Sequence, residues 1–316
     1  MAMDQQCKLY LLVGVPGSEK STWIHYIINM RMIKLLTAFL LLIYSTCYSQ
    51  PLIIVPTAPG GAVDTLARKF AQFAELKKNK SIIIENASGA GGNIGIARFL
   101  KTKPDALMIT SGSWYISINE RTFSLEDFRP IAILAEAPFF LVTNSSQNLT
   151  CEKLKSSNSR YFIGTATMSQ TEIVGKSISK KYLKIENVPY KAVKPATMDL
   201  LGNHINLVII GGTENATPPL TILANSTARK VNGIPSFSEC LGIPGNGVTA
   251  DFILVAHKNS DEIFIKDMEL LVLEFLNHKE TQDYYQQTSM HNPNNGLKNI
   301  DLKVLEKLNQ WQILTR

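Results

Sequence analysis

Short hydrophobic runs alternate with segments of helical periodicity along most of the chain from residue 52 onward. The run Leu52–Val55 is rich in β-type residues. The segment after it carries Ala62, Leu66 and Phe70 at three- and four-residue spacing, which is typical of one face of a helix. Repetition of this strand-then-helix order predicts an α/β fold built on a largely parallel sheet.

The same alternation continues to the carboxyl end of the chain. The predicted strands are residues 81–85, 107–111, 130–135, 139–143, 160–164, 186–190, 205–210, 220–224 and 252–256. The predicted helices are residues 93–102, a helix that opens at Ser169 and ends near Lys181, and residues 263–277 and 302–314. The segments 130–135 and 139–143 are predicted as two separate strands.

Two glycine-rich loops follow the first two strands. They are residues 55–64 (VPTAPGGAVD) and 86–95 (NASGAGGNIG). In a parallel sheet both loops open on the edge where α/β sheets bind ligands. Glycine N–H groups can approach a ligand closely, and an adjoining helix N-terminus favours an anion. The loops therefore predict a carboxylate cradle, with Asp64 turned inward to bind the loop's own backbone. For the first loop alone, a plain strand-to-helix connection is the alternative.

The dinucleotide fingerprint G-x-G-x-x-G does not fit the second loop. Counted from Gly89, the second glycine is Gly91, but the third position holds Ile94, and Gly95 comes one residue late. In addition, no βαβ unit with an acidic residue at the expected position of its second strand follows. Dinucleotide binding is not expected.

The first fifty residues differ in character from the rest. Residues 14–23 (GVPGSEKSTW) resemble the Walker A loop at the start of a polynucleotide kinase, but Glu19 stands where the phosphate-wrapping backbone needs glycine. A P-loop nucleotide kinase rests on this segment alone, and we interpret residues 1–29 as a degenerate remnant or an overcalled start. Residues 30–49 combine basic, apolar and small residues in the order of a signal peptide cleaved near Ser49. Whether translation starts at Met1 or later stays open.

Composition excludes several classes of function. Of 316 residues, 45% are hydrophobic and 18% charged, as in globular proteins, and the net charge of +6 includes no basic run interleaved with aromatic residues. Nucleic-acid binding, metals and other cofactors are therefore not expected, and no nucleophile–base pair predicts catalysis. Beyond the signal peptide, Cys151 and Cys240 remain. Exported proteins form disulfides, but we expect two free thiols here.

Several segments together resemble the substrate-binding proteins of tripartite tricarboxylate transporters, the Bug-type periplasmic receptors. The resemblance covers residues 51–290 and is carried by residues 56–64, 85–95, 127–134, 188–191, 195–202 and 234–239. It implies a two-domain periplasmic-binding-protein-like fold, in which each domain is a mostly parallel sheet flanked by helices and two crossing strands form the hinge. Domain 1 would comprise residues 50–143 and 252–316, and domain 2 residues 144–251.

The resemblance also implies a function and a site. The protein would capture a small carboxylate in the interdomain cleft and, as a monomer in the periplasm, deliver it to the membrane components of such a transporter. An orphan sensing or scavenging receptor is the alternative. The expected ligand-binding residues are Thr57, Ala58, Pro59, Gly60, Gly61, Asp64, Gly89, Ala90, Gly91, Gly92, Asn93, Thr165, Ser169, Glu172, Tyr190 and Lys191.

Glu172, Trp114 and Tyr115 each have two interpretations. Ser169 and Glu172 have the spacing of a capping box, yet the family usually has histidine where Glu172 stands. Glu172 is therefore either a helix cap or a charge that repels a second carboxylate of the ligand. Trp114 and Tyr115 either cover the ligand or pack on their own domain, and we expect packing.

Overall fold

The computed structural model describes residues 50–112, 114–115, 123–182, 184–212, 216–243, 248–292, 297 and 299–315. The Walker-like segment, the predicted signal peptide and its cleavage site all lie outside these residues. Most of the loop that follows residue 115 also lies outside them.

One mixed sheet runs through the described part of the chain. Its strands are β1 (Leu52–Val55), β2 (Ile83–Asn86), β3 (Leu107–Thr110), β4 (Phe128–Asn144), β5 (Tyr161–Ala166), β6 (Ile185–Tyr190), β7 (Leu207–Gly211), β8 (Leu220–Asn225) and β9 (Thr249–His257). The strand order is β2-β1-β3-β9-β4-β7-β5-β6, and β8 pairs with β4 beside this path. The α/β class and the alternation of strands with helices are confirmed.

Helices join and cover these strands. They are α1 (Ala62–Lys78), α2 (Asn93–Phe99), α3 (Cys151–Ser156), α4 (Gln170–Lys181), α5 (Val193–Leu201), α6 (Phe237–Leu241), α7 (Glu262–Asn277), α8 (Lys279–Thr288) and α9 (Ile300–Thr315). Short 3₁₀ turns lie at Ala90–Gly92, Leu125–Asp127 and Ser145–Gln147. Helix α5 was not among the predicted helices. Pro195 lies in the first turn of α5, where a missing N–H costs no helical hydrogen bond.

The strand directions place the loops. Strands β1, β2 and β3 are mutually parallel, and β5 is parallel to β6 and β7. We call the group around β1–β3, with α1 and α2, the first half, and the group around β5–β7, with α4 and α5, the second half. Within each half, the carboxyl ends of the parallel strands share one edge, so the loops after β1, β2 and β3 open side by side.

Strand β4 connects the two halves as one continuous strand of 17 residues. Phe128–Pro138 pairs antiparallel with β9, and Phe139–Asn144 pairs with β7 and β8. The prediction of two separate strands was wrong. The polar and proline residues at its middle looked like a break, but Glu136 and Pro138 stay in register with β9, and the chain absorbs irregularity in bulges earlier in the strand. The domain boundaries drawn from the sequence remain a prediction.

A disulfide joins Cys151 and Cys240, so the expectation of two free thiols was wrong. Cys151 opens α3, whose N-terminus is capped by Thr150, and Cys240 lies in α6, which begins with a capping box of Ser236 and Glu239. The two short helices pack together and bring the cysteine Cα atoms to 5.0 Å. The two cysteines are 89 residues apart in sequence, so local sequence patterns do not indicate that they are in contact.

We predict that removing this disulfide lowers stability. In the chain-entropy model a loop of this length contributes about 2–5 kcal/mol to the free energy of unfolding. Urea denaturation of the Cys151→Ala, Cys240→Ala double variant should show that loss, and dithiothreitol should reduce the stability of the unmodified chain to the same level. Equal denaturation midpoints for the oxidised chain and the variant would contradict the prediction.

Candidate functional site

The buried Asp64 side chain holds the backbone of the first glycine-rich loop in place. It is only 2% exposed, and its Oδ2 accepts hydrogen bonds from Gly60 N at 2.9 Å and Arg68 Nε at 3.0 Å. Burial alone would raise the pKa of this carboxyl, but the hydrogen bonds from Arg68, Gly60 and Asn86 outweigh it and hold the pKa below its usual value. The inward orientation predicted for Asp64 is confirmed, and both its oxygens have protein partners.

Asn86 connects the first loop to the second. Its Nδ2 donates to Asp64 Oδ1 at 2.8 Å and to the Thr57 carbonyl at 3.2 Å, while its Oδ1 accepts from Arg68 Nη2 at 3.1 Å. The two loops are thereby held side by side at the end of β1 and β2. Sequence analysis missed this residue as a site component. The sequence feature that could have indicated its role is an asparagine at the junction of a strand and a glycine-rich loop.

The second loop has an unusual backbone. Gly89, Ala90, Gly91 and Gly92 all have positive φ, with values of 132°, 46°, 65° and 102°. Residues other than glycine rarely adopt such angles, which explains the run of glycines. Gly95 has another role, because a Cβ there would lie 2.5 Å from Pro56 Cβ and 2.6 Å from the Ala87 carbonyl. The absence of a side chain at Gly95 lets α2 pack closely on both loops.

The backbone of these loops offers hydrogen-bond donors. Within the described chain, the N–H groups of Gly61, Ala90 and Gly91 have no acceptor, and Gly61 directly precedes α1. The first turn of α1 adds donors that no intrahelical carbonyl can satisfy. Thr57 Oγ1 is also buried without a partner. Unpaired donors at a helix N-terminus suit an anion.

Two residues predicted to contact ligand from the second half have hydrogen-bond partners within the protein. The Thr165 side chain is fully buried, and its Oγ1 donates to Asn187 Oδ1 at 2.9 Å. Tyr190 OH donates to Asp199 Oδ2 at 2.7 Å, and burial together with this bond raises the pKa of Tyr190 to about 12. Lys191, which follows Tyr190, is exposed. The structure thus leaves Lys191, among these three, with its side chain in solvent.

The turn before α4 is stabilised differently from the predicted capping box. Ser169 Oγ donates to the Ala166 carbonyl at 2.7 Å and caps no helical N–H. The Glu172 carboxylate accepts from Met168 N at 2.6 Å and pairs with Lys176 Nζ at 2.8 Å. The capping box was wrong because the Ser169 hydroxyl is already used inside the turn. Glu172 still stabilises the turn, because it accepts the hydrogen bond from the Met168 N–H.

The two halves touch where this turn meets the loops of the first half. A Cβ on Gly91 would lie 2.5 Å from Met168 Cβ, and a Cβ on Gly112 would lie 1.6 Å from Gln170 Nε2. Residues 168–170 therefore face the second glycine-rich loop and the loop after β3. The expected ligand-binding residues included residues 89–93, Thr165, Ser169 and Glu172, but not Gly112, Met168 or Gln170. The sequence feature that could have indicated this contact is a glycine, Gly112, directly after a predicted strand.

The aromatic pair after Gly112 is part of the core. Trp114 and Tyr115 are fully buried, and the Trp114 ring packs on Tyr115 and edge-on to Phe128. The expected packing on their own half is confirmed.

Among the residues described by the structure, no cluster of three or more histidine, cysteine or acidic residues is placed to hold a metal ion. In the same residues, no helix has both the length and the apolar character that crossing a membrane requires.

The family model "Tripartite tricarboxylate transporter family receptor" matches residues 66–272. BugT of Bordetella pertussis is 26% identical over 234 residues, covering 66% of this chain and 70% of BugT. A UPF0065 protein of Agrobacterium vitis is 28% identical over 180 residues, covering 52% of this chain. The chain spans about half (51%) of that relative's length.

Solved structures agree with this match at the level of the fold. The periplasmic binding protein BugD superposes with a TM-score of 0.74 at 19% identity, covering 84% of this chain and 97% of BugD. MatC from Rhodopseudomonas palustris, solved with bound malate, superposes with a TM-score of 0.71 at 20% identity, covering 84% and 99%. An R. palustris protein solved with adipate gives 0.75 at 20% identity, covering 84% and 95%.

These matches confirm the periplasmic-binding-protein-like fold and the prediction of a binding protein instead of an enzyme, because the family consists of substrate-binding receptors. The family model covers well over half of the chain. The chain belongs to the tripartite tricarboxylate transporter family of receptors.

Proposed function

We propose that this protein is an exported receptor that captures a small carboxylate between the loops of its two halves and delivers it to the membrane components of a tripartite tricarboxylate-type transporter. The observation that carries the proposal is the pair of glycine-rich loops, which Asp64 and Asn86 hold side by side and in which the N–H groups of Gly61, Ala90 and Gly91 have no acceptor in the described chain. Malate and adipate in the structures of two similar proteins support a carboxylate as the ligand.

The two glycine-rich loops would bind the negative charge of the ligand through uncharged backbone N–H groups. Arg68, the nearest cation on α1, is held by Asp64 and Asn86, which leaves the backbone amides and the α1 dipole to face the ligand. Hydrogen bonds to an ionised acceptor are stronger than neutral ones, so a few such donors suffice for one carboxylate, partly through water.

Closure of the two halves would complete the site. We place the domains at residues 50–143 plus 252–316 and 144–251, with β4 and β9 as the crossing strands. A ligand that contacts both sides stabilises the closed arrangement by its differential affinity for that state. The contacts of Met168 with Gly91 and of Gln170 with Gly112 belong to this closed arrangement.

The proposal is tested by calorimetric titration of the purified full chain with malate, adipate and citrate, using an uncharged polyol of similar size as the control. We expect saturable binding of at least one acid and none of the polyol. A chain that is folded by circular dichroism and binds none of the acids would overturn the proposal.

Gly60→Val should weaken binding of whichever acid the chain binds at least tenfold, about 1.4 kcal/mol. The φ of 80° at Gly60 and the approach of a ligand to its backbone both exclude a β-branched side chain. Gly233→Val is a matched control, because Gly233 has a φ of 81°, is likewise open within 4 Å of its Cβ position, and lies outside the candidate site. Equal affinities for the two variants would contradict the glycine cradle.

We expect Glu172→Gln to leave ligand selectivity unchanged. The Glu172 carboxylate already accepts the Met168 N–H and pairs with Lys176, so its charge is largely satisfied by the protein. Glutamine keeps an acceptor and should cost about 1 kcal/mol of unfolding free energy or less. Titration with malate and citrate measures selectivity. A variant that gains affinity for citrate relative to the parent would show instead that Glu172 repels a second carboxylate.

Export predicts a specific mature N-terminus. Residues 50–316 form a compact unit that starts directly after the predicted cleavage site at Ser49. Intact-mass analysis of the secreted protein should therefore give an N-terminus near Gln50, and Lys20→Ala should leave ligand affinity unchanged. A mature protein that retains residues 8–23 would contradict both expectations.

A further inference from the structure

Gln170 is a buried polar side chain at the start of α4. It is 4% exposed, and its Nε2 has no hydrogen-bond partner in the described part of the chain. A buried donor without an acceptor costs folding free energy, and native proteins rarely retain one without a reason. We therefore expect an acceptor from a bound molecule beside it.

The position of Gln170 links it to both halves of the molecule. It is the first residue of α4 in the second half, yet its carboxamide lies on Gly112, which follows β3 in the first half. A Cβ on Gly112 would lie 1.6 Å from Nε2 and 1.7 Å from Cδ of Gln170. The carboxamide thus occupies space that exists only because residue 112 is glycine.

The surroundings indicate what Gln170 faces. Two residues earlier, Met168 lies against Gly91 of the second glycine-rich loop. Residues 168–170 are therefore bordered by the glycine cradle on one side and by Gly112 on the other. The neighbouring hydroxyl groups are used internally, since Ser169 and Thr171 bond each other and the backbone of Ala166. Gln170 Nε2, in contrast, is a buried side-chain donor without a partner among the described residues.

We propose that Gln170 is a ligand-binding and specificity-determining residue of this receptor. Its Nε2–H donates to an oxygen of the bound carboxylate. The missing side chain at Gly112 leaves the space in which the Gln170 carboxamide lies. The inference rests on the proposed function and adds to it a neutral donor from the second half. Because an N–H group needs an acceptor, the ligand must present an oxygen acceptor at this place, such as a carboxylate oxygen, and not an ammonium group.

The test is calorimetric titration of the full chain and its variants with malate, adipate and citrate. Gln170→Ala should bind the best of these acids at least tenfold more weakly. Gln170→Glu should bind it more weakly still, because a carboxylate then faces the ligand's carboxylate. Gln286→Ala on α8, which removes an exposed glutamine, is the matched control and should bind like the parent.

Gly112 supplies an independent second arm. Gly112→Ala should also weaken binding, because the methyl group displaces the Gln170 carboxamide, whereas Gly211→Ala, whose Cβ would meet Ala250 at an ordinary 3.5 Å, should not. Combined with Gln170→Ala, the Gly112→Ala change should add less than twofold, since both remove one interaction. Independent, multiplying effects would overturn the role assigned to Gly112.

A stability readout separates ligand contact from a merely structural role. Without ligand, Gln170→Ala should melt at or above the temperature of the parent, because it removes a buried donor that has no partner. A lower melting temperature together with unchanged affinity would overturn the inference while leaving the proposed function intact. If the unmodified chain binds none of the three acids, the proposed function fails and the inference fails with it.

Discussion

A buried ionic cluster joins the two strands on which both halves depend. Glu136 of β4 and Asp251 of β9 lie opposite each other in the antiparallel ladder, and Lys307 Nζ lies 3.1 Å and 3.0 Å from their oxygens. Asp251 is fully buried, and burial raises its pKa to about 6 against the attraction of Lys307. At Glu136, burial is outweighed by the bonds from His291 and Lys307, and its pKa is lowered to about 2. Two facing carboxylates in this place require the cation between them.

This cluster ties the carboxyl-terminal helix to the rest of the molecule. Lys307 lies on α9, and Trp311 of the same helix is fully buried with its ring edge-on to Phe139 of β4. Helix α9 also contacts α4, the helix that begins with Gln170. The alignment of β4, β9 and α9 thus fixes where the turn at residues 168–170 meets the first half. The geometry of the candidate site depends on a charge cluster that does not belong to it.

Within the site, the two halves contribute different chemistry. The first half offers backbone donors on glycines with positive φ, and its side chains Asp64 and Asn86 hold those loops in place. Such donors bind a carboxylate group whatever molecule carries it. Under the proposed function, discrimination among carboxylates would come from side chains of the second half, where Met168 and Gln170 lie against Gly91 and Gly112. Affinity and selectivity would then come from separate elements of the chain.

The sequence by itself determined the features that depend on neighbouring residues. Strand and helix alternation, the two glycine-rich loops and the inward turn of Asp64 all follow from periodicity, turn chemistry and hydrogen bonds within a few residues. The exception among local features was Glu172, whose partner depended on how the Ser169 hydroxyl was already used.

Only the tertiary structure decided the remaining features. Cys151 meets Cys240 because α3 and α6 pack together, and β4 stays continuous because β9 supplies its register through Glu136 and Pro138. The Gln170 carboxamide finds its place on a glycine 58 residues earlier (170 − 112) in the other half. Each of these contacts joins segments far apart in the chain, where local propensity carries no information, so packing of whole elements has to bring them together.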